Sequence, residues 1–401
     1  MTKSTVAGPL NGFRIIDLSR VLSGPAATML LADQGADVIK VEPPGGDITR
    51  QMGIGKNGAT TGYLNINRGK RAIAIDFKQP QGLAVLKRLL ETADVLVQNF
   101  RPGAMESLGL GVDTVREINP KIVYVSISGF GADGPYAHKR VYDPVIQALS
   151  GITDIQADTG TERPRMIRTV IPDKTTALTA AQAITAALLS RERDGRGQHV
   201  QLAMLDATIV YLWPEGMINY TLVEDEKRDT RVGQLAQDLI FKTTDGYITA
   251  GAMSDAEWRG MCDVLGKPEW LEDPRFSTTN ARFVNAKVRL ELTAEVLSTR
   301  SSEEWLQALD AAGVPCAPVL NRHEVLSHPQ ILANDLIHEY ELEGYGRVRQ
   351  PRPAARFELA RPELNPTAAR LGQHNEEVLL EAGYTSEEIR GFTDSGILAG
   401  S

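Results

Sequence analysis

Cysteine is nearly missing from this chain: Cys262 and Cys316 are the only two among 401 residues, far apart and without CxxC spacing. A disulfide framework and a thiolate zinc site both fail on that count, and a reduced, cytoplasmic protein is expected. Histidine is also sparse. His138, His199, His323, His328, His338 and His374 form no HxxxH or HExxH pair, so surface or structural roles are expected for them and no metal. No apolar run reaches the roughly 18 residues needed to cross a bilayer. The opening stretch MTKSTVAGPLNG lacks the apolar core of a signal peptide, so neither membrane nor export is expected. An excess of positive charge is absent too, with net charge −8 and pI near 5.4. Nucleic acid is therefore not an expected partner, although local cations on an acidic protein can still hold a small anion. The first loop is not GxGxxG and no GxxxxGK[ST] occurs, so dinucleotide and Walker-type ATP sites lose support.

What is present suits a soluble globular protein, with 42% hydrophobic and 23% charged residues. The length implies two domains. Strand-like runs at 13–17, 37–41, 71–77, 94–98 and 121–128 alternate with helical stretches such as 26–34 and 80–92. That alternation predicts an α/β fold with a parallel sheet covered on both faces. Ligands of such sheets lie beyond the strands' carboxyl ends, here occupied by 19–24, Glu42, Lys78, 99–101 and 128–131. After a charged, linker-like stretch at 223–231, the chain predicts a smaller α+β unit. It has a hairpin around Asp245-Gly246 and capping boxes at Ser254–Glu257 and Ser301–Glu304, with Trp258, Trp270 and Trp305 serving its core. Helical pattern returns at 374–382 and after Ser386. The expected division is 1–224, 225–325 and a C-terminal segment 326–401 returning to the first domain.

Asp173 stands where the stretch 168–172 gives way to an Ala/Thr-rich helical pattern over 174–193, with 176, 177, 180, 181, 184, 187 and 188 on one face. A carboxylate at a helix start meets unpaired N–H groups and the positive dipole end, and is expected to be held ionised. It can cap the helix or attack a carbonyl carbon.

The order and spacing of several short motifs resemble the family III CoA-transferases, the formyl-CoA transferase or carnitine CoA-transferase type, over nearly the whole chain. They are Asp17-Leu-Ser-Arg-Val-Leu-Ser-Gly-Pro25, Gly35-Ala-Asp-Val-Ile-Lys-Val-Glu42, Asn67-Arg-Gly-Lys-Arg71, Asn99-Phe-Arg-Pro-Gly103, Ser128-Gly-Phe-Gly131, Tyr142-Asp143, Gly195-Arg-Gly-Gln198 and Leu371-Gly-Gln-His374. The resemblance implies a Rossmann-like large domain built from both chain ends, a smaller inserted domain and an interlocked homodimer. It implies that Asp173 is the nucleophile, attacking an acyl-CoA thioester to give a mixed anhydride and then an aspartyl-CoA thioester. Coenzyme A enters as substrate, with no permanently bound cofactor, and succinyl-CoA is the expected donor. Family positions place the coenzyme along Arg20, Val21, Leu22 and Ser23, with Ile75, Lys78, Asn99, Phe100, Arg101, Arg140 and Asp143. Lys78 and Arg140 would meet phosphates; Phe100 and Ile75 would line an apolar surface. Pro43 and Ser107 stand where some members carry arginines, and Arg101 is the nearest substitute. The expected oxyanion donors are the helix start after Asp173 or the segment 128–131. The Gly-rich lid of formyl-CoA transferases has no counterpart beyond Gly233-Gln234, which argues against formyl-CoA and oxalate. The nearest alternative is an α-methylacyl-CoA racemase-type isomerase, which needs a second acid/base group where this chain has Tyr142, a poor base at neutral pH. A non-catalytic CoA-binding protein is the alternative from another class.

Overall fold

The computed structural model describes residues 8–56, 59–157, 161, 163–223, 238–359 and 364–400. Most of the charged stretch 223–231, together with Gly233 and Gln234, lies outside the described residues. The chain divides into two compact units, Met1–Leu212 with Asp335–Ser401, and Trp213–Asn334.

The first unit is built on six strands: β1 (Arg14–Asp17), β2 (Asp37–Glu42), β3 (Arg71–Ala74), β4 (Val95–Gln98), β5 (Val123–Ser128) and β6 (His199–Ala203). Their spatial order is β3-β2-β1-β4-β5-β6, and every pairing is parallel. Short strands rich in Ile and Val, buried on both faces, are what a parallel sheet between helical layers requires. Alternate residues feed two cores. Ile16, Ile39, Ile73 and Leu96 point to one face, which α2 (Pro80–Leu90) and the later helices α10 (Asn375–Glu381) and α11 (Ser386–Asp394) cover. Ile15, Val38, Val95, Val97, Val123 and Val125 point to the other, against α1 (Ser23–Ala32) and α5 (Ile171–Asp194).

The helix α5 presents Ala177, Ala180, Ala181, Ile184, Ala187 and Leu188 to that core, beside Ala27 and Leu31 of α1. Small side chains let the two helices approach closely, so their first turns meet at one end of the sheet. Both helices start earlier than expected, at Ser23 and Ile171 against Ala26 and Lys174. The reason is proline. Pro25 and Pro172 lie inside the first turns, where a missing N–H costs nothing because those donors have no helical partner. Gly195 ends α5 in the left-handed conformation at φ 70°.

The strand β3 also stops at Ala74 and not at Phe77. Beyond it Ile75 bridges to Leu398, the Asp76 N–H donates to the Ile397 carbonyl (2.8 Å), and the Ala399 N–H donates to the Ala74 carbonyl (3.1 Å). The Ala74 N–H donates to the Asn375 side-chain oxygen (2.9 Å), so the free edge of the sheet is closed by residues from the far end of the chain. An antiparallel hairpin of β10 (Ile337–Leu342) and β11 (Gly346–Pro351), not expected from the sequence, opens that returning segment.

The second unit has an antiparallel three-stranded sheet, β9 (Cys316–Pro318), β8 (Tyr247–Ala250) and β7 (Ile240–Lys242) in spatial order. Both expected capping boxes form, opening α7 (Asp255–Leu265) and α9 (Ser302–Ala311). Trp258, Trp270 and Trp305 are buried together in its core. The helix α6 (Met204–Gly216) runs across the first boundary between the units. Among the described residues no helix is long and apolar enough to cross a membrane, and no cluster of three or more metal-ligating side chains occurs.

Candidate active site

In the first unit the strand order reverses direction between β1 and β4, the place where open α/β sheets leave a crevice beyond the carboxyl ends. Two loops meet there. The Asn99 side chain, at the end of β4, accepts the Arg20 N–H and donates to the Arg20 carbonyl, both at 2.8 Å. The bend after β1 is held at three further main-chain groups. The Ser19 N–H donates to Asp17 (2.9 Å), the Ser19 carbonyl accepts from Lys40, and the Val21 N–H donates to Asp47 (3.3 Å). These contacts hold Val21 at φ 68°, a left-handed conformation that a β-branched residue avoids. Such a residue costs about 1–3 kcal/mol and persists when its surroundings over-determine it. Close packing completes the bend. A Cβ on Gly24 would lie 2.3 Å from the Ser19 Cβ, so no side chain fits at that position.

Beneath the bend lies a buried set of charges. Lys70 donates to Asp17 (3.0 Å), to the Pro25 carbonyl (2.8 Å) and to Asn67 (2.8 Å), while Thr28 donates to Asp17 (2.7 Å). Burial works against an ionised Asp17, but Lys40, Lys70 and the Ser19 and Thr28 hydroxyls outweigh it and hold the carboxyl well below the usual range. Burial pulls the Lys70 ammonium down to about 8 despite Asp17.

The bend delivers the first turn of α1 to Asp173. Asp173 is itself in the first turn of α5 and is 9% exposed. The main-chain N–H and the hydroxyl of Ser23 are near enough to favour its charged form. Its own N–H donates to Asp143 (3.2 Å), at the start of α4 (Asp143–Leu149). Gln147, one turn along α4, donates to the other Asp143 oxygen (2.6 Å) and accepts the Ile167 N–H (2.9 Å), tying Asp143 to the segment that leads into α5.

The helix start is expected to hold Asp173 ionised, and in the structure other influences act against it. Burial and the Asp143 carboxylate push it up to about 6, with the Ser23 N–H and hydroxyl opposing. Helix-end stabilisation is present but loses to desolvation and a like charge. At neutral pH the group is still chiefly charged, and it carries a basicity far above that of an ordinary aspartate, which suits a nucleophile.

The structure brings Arg20, Val21, Leu22, Ser23, Asn99 and Phe100 together, with the Arg20 guanidinium 5.2 Å from the Phe100 ring centre. Asp143 and Asp173 adjoin through the Asp173 N–H. Lys78, Arg101 and Arg140 are exposed and form no ion pair among the described residues. Ile75 differs from its expected place on an apolar surface: it has no exposed area, and its side chain fills the core beside Phe77 and Val85. Tyr142 is 69% exposed. Among the partners not read from the sequence are Lys40, Asp47 and Gln147, each buried. A buried lysine within the strand β2 carries a detectable signal, since Lys40 interrupts the apolar run Val38-Ile-Lys-Val41. Asp47 and Gln147 carry none.

The family model described as CoA-transferase family III matches residues 10–375. Among curated proteins, the human succinyl-CoA:glutarate CoA-transferase is 35% identical over 397 residues, covering 97% of this chain and 90% of that protein. A succinate–glutarate CoA-transferase of Agrobacterium fabrum is also 35% identical, over 93% of this chain and 95% of its own length. Among solved structures, Rv3272 of Mycobacterium tuberculosis superposes with a TM-score of 0.81 at 33% identity, over 92% of this chain and 98% of that one. A CAIB/BAIF family protein of Brucella suis gives 0.80 at 32% identity, over 94% and 100%.

Proposed function

This chain belongs to CoA-transferase family III, and from that premise we infer that it moves coenzyme A from an acyl-CoA to a carboxylic acid through covalent intermediates on Asp173. The observation that carries this reading is the Asp173 carboxylate, buried in the first turn of α5 and adjoining Asp143.

The steps balance without an outside reagent. A carboxylate oxygen of Asp173 attacks the thioester carbon, the C–S bond breaks, and an aspartyl-acyl anhydride and free CoA thiolate result. The thiolate attacks the aspartyl carbon of the anhydride, releasing the donor acid and leaving an aspartyl-CoA thioester. The acceptor carboxylate attacks that thioester, and the thiolate then attacks the acceptor side of the new anhydride, regenerating Asp173. Each tetrahedral intermediate on the aspartyl carbon carries an oxyanion. The Ser23 N–H and hydroxyl, which favour the charged form of the Asp173 carboxyl, are the donors we assign to that oxyanion. Burial of Asp173 keeps water from the anhydride and thioester. No proton moves in the net reaction, so a second acid/base group is not required.

Val21, Leu22, Asn99 and Phe100 are the part of the coenzyme site supported by their assembly at the crevice; Lys78, Arg101 and Arg140 are exposed cations available to phosphates. The names of two relatives support succinyl-CoA as donor and a five-carbon dicarboxylate as acceptor. An interlocked homodimer is the assembly we infer, since Val145, Leu149, Leu178, Leu189, Val210 and Tyr211 on α4, α5 and α6 leave apolar surface that a second copy would cover.

The test is mass-spectrometric detection of glutaryl-CoA from succinyl-CoA and glutarate, with hydroxylamine trapping of the Asp173 peptide. Transfer by the wild type, a hydroxamate on Asp173 and no transfer by Asp173→Ala are expected. Wild-type rates in Asp173→Ala would refute the covalent route.

A further inference from the structure

The strained bend ahead of α1 is held by groups remote from the reacting carboxyl, and one of them does more than its local structure needs. Asp47, in the turn after β2, is 1% exposed. Its Oδ1 accepts the N–H (2.9 Å) and the hydroxyl (2.8 Å) of Thr49, the ordinary work of a cap on the short turn that follows. Capping leaves Oδ2 unexplained. That oxygen accepts the Val21 N–H (3.3 Å) and faces the Lys40 ammonium (3.3 Å), which also donates to the Ser19 carbonyl. The Asp47 N–H donates to Glu42 (2.8 Å), and Glu42 is gripped by the Arg50 Nε and Nη2 atoms. Asp47 therefore has no freedom to turn away. Among the described residues it is the side chain recorded on the main chain of Val21, the one residue of the bend in the left-handed region. Two residues later lies Ser23, whose N–H and hydroxyl favour the charged form of Asp173, so a relaxed Val21 would move those groups away from it.

We propose that Asp47, braced by Lys40, is a positioning residue for the transfer reaction: it holds Val21 in its left-handed conformation and thereby aims Ser23 at Asp173. The inference rests on the reading that Asp173 is the acylated group.

The experiment compares succinyl-CoA:glutarate transfer by the wild type, Asp173→Ala, Asp47→Asn and Asp47→Asn/Val21→Gly. Asp47→Asn is expected to lower kcat about ten- to hundredfold, with a smaller change in KM for the acyl-CoA, as follows from misplacing a donor at the reacting centre. Glycine adopts the left-handed region without a side-chain penalty, so adding Val21→Gly is expected to restore kcat about threefold or more. Circular dichroism establishes that each variant is folded. If Asp47→Asn is not, the charge-balanced Lys40→Met/Asp47→Asn pair is used, with the same expected loss and the same recovery by Val21→Gly. A wild type that transfers nothing, or an active Asp173→Ala protein, overturns this inference together with the reading beneath it. An inactive Asp173→Ala protein alongside wild-type kcat in Asp47→Asn, or a loss that Val21→Gly does not relieve, overturns the role of Asp47 alone.

Discussion

Replacing Asp173 by Asn should abolish transfer and make the protein more stable, and the size of the gain follows from the titration of one carboxyl. An aspartate in the unfolded chain titrates near 3.8, while Asp173 is held at about 6 in the fold, by burial first and Asp143 second. Below 3.8 both states keep the proton and the group costs nothing. As pH rises the unfolded state ionises first, so folding stability falls, and above the folded value the whole penalty is in place. At 1.36 kcal/mol for each pH unit the charged Asp173 costs about 3 kcal/mol at neutral pH. An asparagine escapes this cost. Its oxygen can still face Ser23, and its amide can donate towards Asp143. Urea unfolding at pH 7.5 should show Asp173→Asn more stable by about 2–3 kcal/mol, a midpoint about 1 M higher for a slope near 2–3 kcal/mol/M. Below pH 4 the two proteins should coincide. The four tryptophans all lie in the Trp213–Asn334 unit, so fluorescence reports that unit while far-UV circular dichroism reports both. A variant less stable than the wild type at pH 7.5, or one whose advantage is the same at pH 4, would refute the argument.

Asp143→Asn removes the second cause of the raised Asp173 value, so the acid limb of kcat/KM should move to lower pH; a limb that stays or rises contradicts the like-charge contact. In Gly24→Ala the new methyl lies 2.3 Å from the Ser19 Cβ, so the bend must open. Stability measured in urea should fall by about 1–3 kcal/mol, with transfer activity falling too. Lys70→Met strips a fully buried carboxylate, Asp17, of one of its two cations, and a loss of about 3–5 kcal/mol in the circular dichroism transition is expected.

The sheet was legible because its strands are apolar runs that cannot be satisfied at a surface, and the two serine capping boxes carry their own signature at Ser254 and Ser301. The same reasoning missed the start of α1 and α5, since a proline read as a boundary sits inside a first turn when no N–H is needed there. Asp173 was found from its place before an Ala-rich face, yet its raised pKa depends on Asp143, thirty residues away and brought near by the packing of α4 against α5. Ile75 shows the reverse failure: a residue past a strand end was expected to face ligand, but its neighbours across the sheet edge come from 397–399. Asp47 and Gln147 were illegible because nothing in their flanking sequence distinguishes a buried aspartate or glutamine from a solvated one.

The sealing of β3 by residues 375–399 governs when the first unit can complete itself during synthesis. Until residue 399 has left the ribosome, Ala74, Ile75 and Asp76 wait as an open sheet margin. The Trp213–Asn334 unit has all of its own strands well before then and should fold first, as a finished insert carried by an unfinished host.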